Sequence, residues 1–162
     1  MSAYLIGDDS DINELKINTI AIYPNSDAGS KQIINLLLKY NKNPLIQIHK
    51  NLDNKTFLSL MKHSLAIVGN SSSGIIEASA LNVPVINIGT RQEGRERAKN
   101  VIDVPHQKKK IKEAIKFAIS PNFQNMAKIK SPYGDGDAGT RIATILTTIP
   151  ISKDLIQKTI TY

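Results

Sequence analysis

The residues best equipped for chemistry lie in one stretch, 65–81, which reads LAIVGNSSSGIIEASAL. An apolar run, Leu65 to Val68, leads into a Gly-bounded polar turn, Gly69-Asn70-Ser71-Ser72-Ser73-Gly74, and residues 75–81 follow with helical composition. A buried strand, a tight turn and a helix start are the parts from which open α/β sheets build an anion site. The first N–H groups of a helix have no partner inside it and carry partial positive charge, so an anion placed there is stabilised. Ser71, Ser72 and Ser73 add hydroxyl donors, and one of them can cap the helix. Glu77 falls about one turn further on. From there a carboxylate can accept hydrogen bonds from two adjacent hydroxyls, such as a ribose diol. The plainer reading is a Ser-rich turn that caps a helix and holds no ligand.

The elements around this turn alternate. Residues 19–23 (TIAIY) are β-branched and apolar and are closed by Pro24; residues 45–49, 65–68, 83–88 and 101–104 read as further strands, the last stopped by Pro105. Between them come helices at about 30–40, striped by Ile33, Ile34, Leu37 and Leu38, and at 56–63, with Phe57, Leu60 and Met61 inward. Two more follow at 106–119, with Ile111, Ala114, Ile115 and Ala118 inward, and at 138–146. Strands alternating with helices predict an α/β fold, a parallel sheet with helices on both faces. Ligands of such sheets sit beyond the C-terminal strand ends. Asn25 and Asp27 follow the first strand there, His49, Lys50 and Leu52 the second, the serines the third, and Thr90 and Arg91 the fourth. A guanidinium at Arg91 suits bidentate phosphate binding, with a plain surface arginine as the alternative. His49 reads as a strand-end cap more readily than as an acid or base. Nothing in the chain forms a catalytic set. No His and acidic residues stand at metal-ligand spacing, and neither a metal nor a cofactor is expected.

Composition narrows the classes. A length of 162 residues suits one domain with a real core. The sequence shows no long apolar run that could span a membrane and no signal-peptide pattern, which favours the cytoplasm. The absence of Cys excludes disulfides and thiolate chemistry. The net charge of +7 comes from 21 Lys and Arg against 14 Asp and Glu. The lysines are scattered, and the one tight run, Lys108-Lys109-Lys110, opens an amphipathic helix, so the charge reads as a solvated face and not as a nucleic-acid surface.

Three segments together resemble the hydrolysing UDP-N-acetylglucosamine 2-epimerase family: Tyr23-Pro24-Asn25-Ser26-Asp27-Ala28-Gly29-Ser30, Gly69-Asn70-Ser71-Ser72-Ser73-Gly74-Ile75-Ile76-Glu77-Ala78, and Val83-Pro84-Val85-Ile86-Asn87-Ile88-Gly89-Thr90-Arg91-Gln92-Glu93-Gly94-Arg95. Ser131-Pro132-Tyr133-Gly134-Asp135-Gly136 is similar to the family's C-terminal turn. The resemblance implies a three-layer Rossmann-like domain, the C-terminal half of a glycosyltransferase-B arrangement with its site in the cleft between halves. It implies that Ser71 and Ser72 contact the diphosphate, Glu77 the ribose hydroxyls, Arg91 and Asn25 the phosphate and sugar, and the backbone near Leu52 the uracil. It further implies conversion of UDP-N-acetylglucosamine to N-acetylmannosamine and UDP for sialic-acid-type synthesis, by elimination of UDP and hydration of the glycal. The acid and base groups would lie mainly in an N-terminal domain outside this chain, which alone would be inactive.

The expected organisation is an atypical segment at 1–16, a nucleotide-sugar-binding domain at 17–149 and a peripheral tail at 150–162. The family's sheet, of order 3-2-1-4-5-6, begins with a central strand. Here only Tyr4-Leu5-Ile6 could stand in for it. Two unpaired sheet edges are therefore expected, with homo-oligomerisation or a separate N-terminal domain as ways to cover them. Half of a nucleotide-sugar glycosyltransferase, or a non-catalytic module that kept the fold, are the competing readings.

Overall fold

The structure, a computed structural model, describes residues 17–24, 29–127 and 130–156. Five short parallel strands form in chain order: β1 (Thr19–Ile22), β2 (Ile46–His49), β3 (Ile67–Gly69), β4 (Val85–Ile88) and β5 (Val101–Val104). The helices are α1 (Ser30–Lys39), α2 (Asn54–His63), α3 (Ser72–Ile75), α4 (Glu77–Ala80), α5 (Lys108–Ala118), α6 (Pro121–Met126), α7 (Ala138–Thr148) and α8 (Lys153–Ile156). This is the expected three-layer, Rossmann-like α/β fold with parallel pairing throughout.

Among the described residues the strands form two sheets, β1-β2 and β3-β4-β5, and not one. The break falls between β1 and β3, where the resemblance implies a central strand; Tyr4-Leu5-Ile6 lie outside the described residues. α2 joins the two parts, because it follows β2 yet packs Phe57 and Met61 against Ala78 of α4 and Val83 and Val85.

β4 is the centre of the larger sheet. All four of its residues are buried, and alternate side chains enter opposite layers. Ile86 and Ile88 pack with Ile111, Ala114 and Ala118 of α5 and Phe123 of α6. Val85 enters the layer built by α2 and α4. The run VINI is apolar with one polar interruption because β4 is covered on both faces, as central parallel strands are. β1 and β2 hold a smaller core with Leu37 of α1 and Tyr40, the residue after it, around Ala21 and Ile46.

The helices begin where the sequence offers caps. Asp53 accepts the N–H of Thr56 at 3.0 Å and opens α2. Ser120 accepts from Phe123, with Pro121 at the first helical position, and opens α6, which the sequence reading passed over. α7 carries no buried residue and exposes Ile142, Ile145 and Leu146. α8 lies within residues 150–162, the segment expected as a tail. Among the described residues no helix is long and apolar enough to cross a membrane.

Candidate functional site

The pairing register assembles the site. In the β3-β4 pair Gly69 lies opposite Asn87, and in the β4-β5 pair Ile88 lies opposite Val104. Asn70 and Ser71 therefore leave the sheet beside the point where Gly89, Thr90 and Arg91 leave it. This is the C-terminal strand edge that the alternating pattern predicts.

Ser71 is the N-cap. Its Oγ accepts the N–H of Ser73 at 3.3 Å, and its carbonyl accepts the N–H of Gly74 at 3.1 Å. The first of the three candidate serines is thus the cap, and Ser72, Ser73 and Gly74 form the first turn of the helix. Ser and Gly are poor helix formers, so packing decides. Gly74 lies so close to β4 that a Cβ on it would stand 3.0 Å from Val85 Cγ1. The helix breaks at Ile76, which has φ −89° and ψ −67°, and Glu77 opens α4. Ser79 fastens α4 from behind, donating to the Ile76 carbonyl at 2.7 Å and meeting Ser131 Oγ at 2.7 Å. Glu77 is half-buried, and its Oε2 is fully shielded with no hydrogen-bond partner among the described residues.

Arg91 is exposed, and its Nη1 approaches the Asn70 carbonyl at 3.5 Å. The loop that carries it is held from several sides. The buried Gln92 donates from Nε2 to the same carbonyl at 2.7 Å. Arg97 donates to the carbonyls of Gln92 (2.8 Å) and Arg95 (2.7 Å), and its Nε pairs with Asp103 Oδ2 at 2.9 Å. Asp103 in turn accepts from Asn87 Nδ2 at 2.6 Å. Tyr133, in the turn singled out from the sequence, donates its hydroxyl to the Glu96 carbonyl at 2.6 Å. At the base of the loop Gly89 has φ +77°, and a Cβ there would stand 2.2 Å from His106 Cε1. A close approach and a left-handed backbone together call for glycine.

The structure thus brings Ser71, Ser72, Ser73, Glu77 and Arg91 together on the larger sheet. Leu52 lies past β2 on the smaller sheet, half-buried, with its N–H taken by Asn51 Oδ1 at 2.9 Å. Asn25 and Asp27 lie outside the described residues. Sequence reasoning missed Gln92 and Arg97, two side chains of a charged loop whose roles arise from tertiary contacts. Two carboxylates are held below the ordinary range: Asp53 by Thr56, and Asp135 by the Arg141 guanidinium and the Asp137 N–H. The first steadies the start of α2 beside Leu52 and the second the turn before α7. No group of three or more metal-ligating side chains occurs among the described residues.

A parallel α/β sheet with a capped serine turn and an arginine loop beyond its C-terminal strand ends has these side chains where such sheets place ligands. The chain belongs to the UDP-N-acetylglucosamine 2-epimerase family, whose profile matches residues 9–147. It is 38% identical over 144 residues to a UDP-N,N'-diacetylbacillosamine 2-epimerase (hydrolyzing) of Legionella pneumophila, covering 88% of this chain and 37% of that protein. It is 43% identical over 103 residues to a UDP-N-acetylglucosamine 2-epimerase of Neisseria meningitidis, covering 64% of this chain and 27% of that protein. Among solved structures, the Methanocaldococcus jannaschii UDP-GlcNAc 2-epimerase in complex with UDP-GlcNAc and UDP superposes with a TM-score of 0.63 at 27% identity, over 85% of this chain and 38% of that one. The Neisseria meningitidis enzyme bound to UDP-GlcNAc gives 0.62 at 25% identity, over 86% of this chain and 40% of that one. The chain therefore spans about two-fifths or less of the length of these relatives.

Proposed function

We propose that this chain is the UDP-binding half of a hydrolysing UDP-sugar 2-epimerase. In this reading Ser71, Ser72 and Ser73 hold the diphosphate, Arg91 neutralises it, and Glu77 accepts the ribose hydroxyls. The observation that carries the reading is Glu77 Oε2, a shielded carboxylate oxygen with no partner among the described residues. An unpaired buried acceptor is costly unless a donor arrives, and a ribose diol supplies two. UDP recurs in the names of these relatives, one of which also names GDP, while the sugar varies between N-acetylglucosamine and N,N'-diacetylbacillosamine.

The step served is departure of UDP from C1 of the sugar as C2 loses its proton, which leaves a glycal for water to add across. Donors fixed at the serine turn and Arg91 stabilise the charge that develops on the leaving diphosphate. No general acid or base for the C2 proton is assigned within this chain, and a further N-terminal domain would supply it. The apolar residues exposed on α7, and the single hydrogen-bonded neighbour of both β1 and β3 among the described residues, support a covering partner of this kind.

The test is thermal unfolding with and without UDP. A ligand bound only by the folded state raises the melting temperature with concentration, so millimolar UDP is expected to raise it. Arg91→Ala and Glu77→Ala are expected to abolish the rise. Glu77→Ala is also expected to leave the ligand-free protein as stable or more stable, because it removes a poorly satisfied buried acceptor. No shift of the wild-type chain at millimolar UDP contradicts the proposal.

A further inference from the structure

Gln92 stands out from its surroundings. Its neighbours Arg91, Glu93, Gly94, Arg95 and Glu96 are exposed, yet Gln92 is only 3% exposed. Its orientation is fixed by chemistry: only the NH2 side of the carboxamide can face the Asn70 carbonyl, which it meets at 2.7 Å. That leaves Oε1 buried without a partner among the described residues. Packing alone would favour an apolar side chain at such a position.

What the amide achieves lies in what it connects. Asn70 is the residue before Ser71, the cap of the serine turn, and Gln92 is the residue after Arg91. This bond, the shorter of the two that reach the Asn70 carbonyl from the loop, therefore ties the two elements proposed to bind the anion to each other beyond the ends of β3 and β4. Behind it the main-chain carbonyl of Gln92 is held by Arg97, Arg97 pairs with Asp103 of β5, and Asp103 holds Asn87 of β4. The loop is thus anchored to two strands of the sheet and, through Gln92, to the turn beyond the third.

We infer that Gln92 is a positioning residue that sets the spacing between the Arg91 guanidinium and the Ser71–Ser73 donors. It acts through the Asn70 carbonyl and does not touch the ligand. The inference rests on the proposed UDP site and deepens it. A diphosphate needs its donors at fixed mutual distances; the β3-β4 pairing fixes where the serine turn and the arginine loop leave the sheet, and beyond the strand ends the Gln92 bond sets their spacing.

The experiment measures UDP affinity by calorimetry, well below the melting temperature of each protein, for wild type, Gln92→Met, Gln92→Ala, Arg91→Ala and the double variant Gln92→Met/Arg91→Ala. Gln92→Met keeps length and bulk but removes the donor, which guards against a mere folding defect. Gln92→Met and Arg91→Ala are each expected to weaken UDP roughly tenfold, the scale of losing one charge-assisted contact. The double variant is expected to bind about as well as Arg91→Ala alone, because Gln92 has nothing left to position. A Gln92→Met affinity within about twofold of wild type, with only the melting temperature lowered, overturns the inference and leaves the UDP site standing. Fully multiplicative losses in the double variant overturn it as well. Wild type that fails to bind millimolar UDP removes the site itself, and the inference with it.

Discussion

The two sheets differ in how completely their strands are enclosed. β4 has a hydrogen-bonded strand on each side and helices on both faces, and every one of its residues is buried. β1 has one neighbouring strand among the described residues, and its Ile20 is 42% exposed. Both runs are β-branched and apolar, so composition alone makes them look alike. Enclosure separates them. The residues proposed to bind UDP, Ser71–Ser73, Glu77 and Arg91, all follow strands of the well-enclosed sheet. Preorganised donors need a rigid base, and the larger sheet provides it.

This contrast can be tested by substitution, starting in the larger sheet. Ile86→Ala in β4 is expected to cost about 2–5 kcal/mol, the range for emptying a fully buried aliphatic site, read from denaturant midpoints. A cost below about 1 kcal/mol would mean that β4 is not the centre of the core. Gly89→Ala is expected to cost about 1–2 kcal/mol from its left-handed backbone alone, with an added loss from the overlap with His106. Combining it with His106→Ala should recover the overlap portion and leave the backbone portion. Ile20→Ala in β1 is expected to cost no more than about 0.5 kcal/mol, as exposed positions do. A large loss there would show that β1 is covered in solution by a partner, such as a second copy or another domain.

Much of the fold was legible because its signals are local. Val83–Ile88 reads as a strand, of which β4 takes the last four residues, and Ile111, Ala114 and Ala118 fall on the inward stripe of α5 by their spacing. That one of Ser71, Ser72 and Ser73 caps the helix follows from residue type, though which one does not. The break between β1 and β3 falls where the resemblance, lacking a clear central strand, leaves two unpaired sheet edges to be expected. What was not legible depended on distance in sequence. The helix begins at Ser72 because Gly74 fits against Val85, eleven positions later, and no propensity of Ser-Ser-Gly announces that. Gln92 sits in a charged loop whose composition reads as solvated; its burial depends on a carbonyl twenty-two residues away. α6 is a different case, since Ser120-Pro121 is a cap followed by a first-position proline and stands in the sequence as a helix start.

The central claim is that one edge of the larger sheet holds the diphosphate of UDP. The most direct measurement follows the backbone amide and arginine Nε resonances of the wild-type chain while UDP is titrated. Saturable shifts at Ser72, Ser73, Gly74 and the Arg91 Nε, with α5 and its lysines unmoved, are the predicted result. Saturation confined to the lysines of α5, or no saturable shift at millimolar UDP, would contradict it.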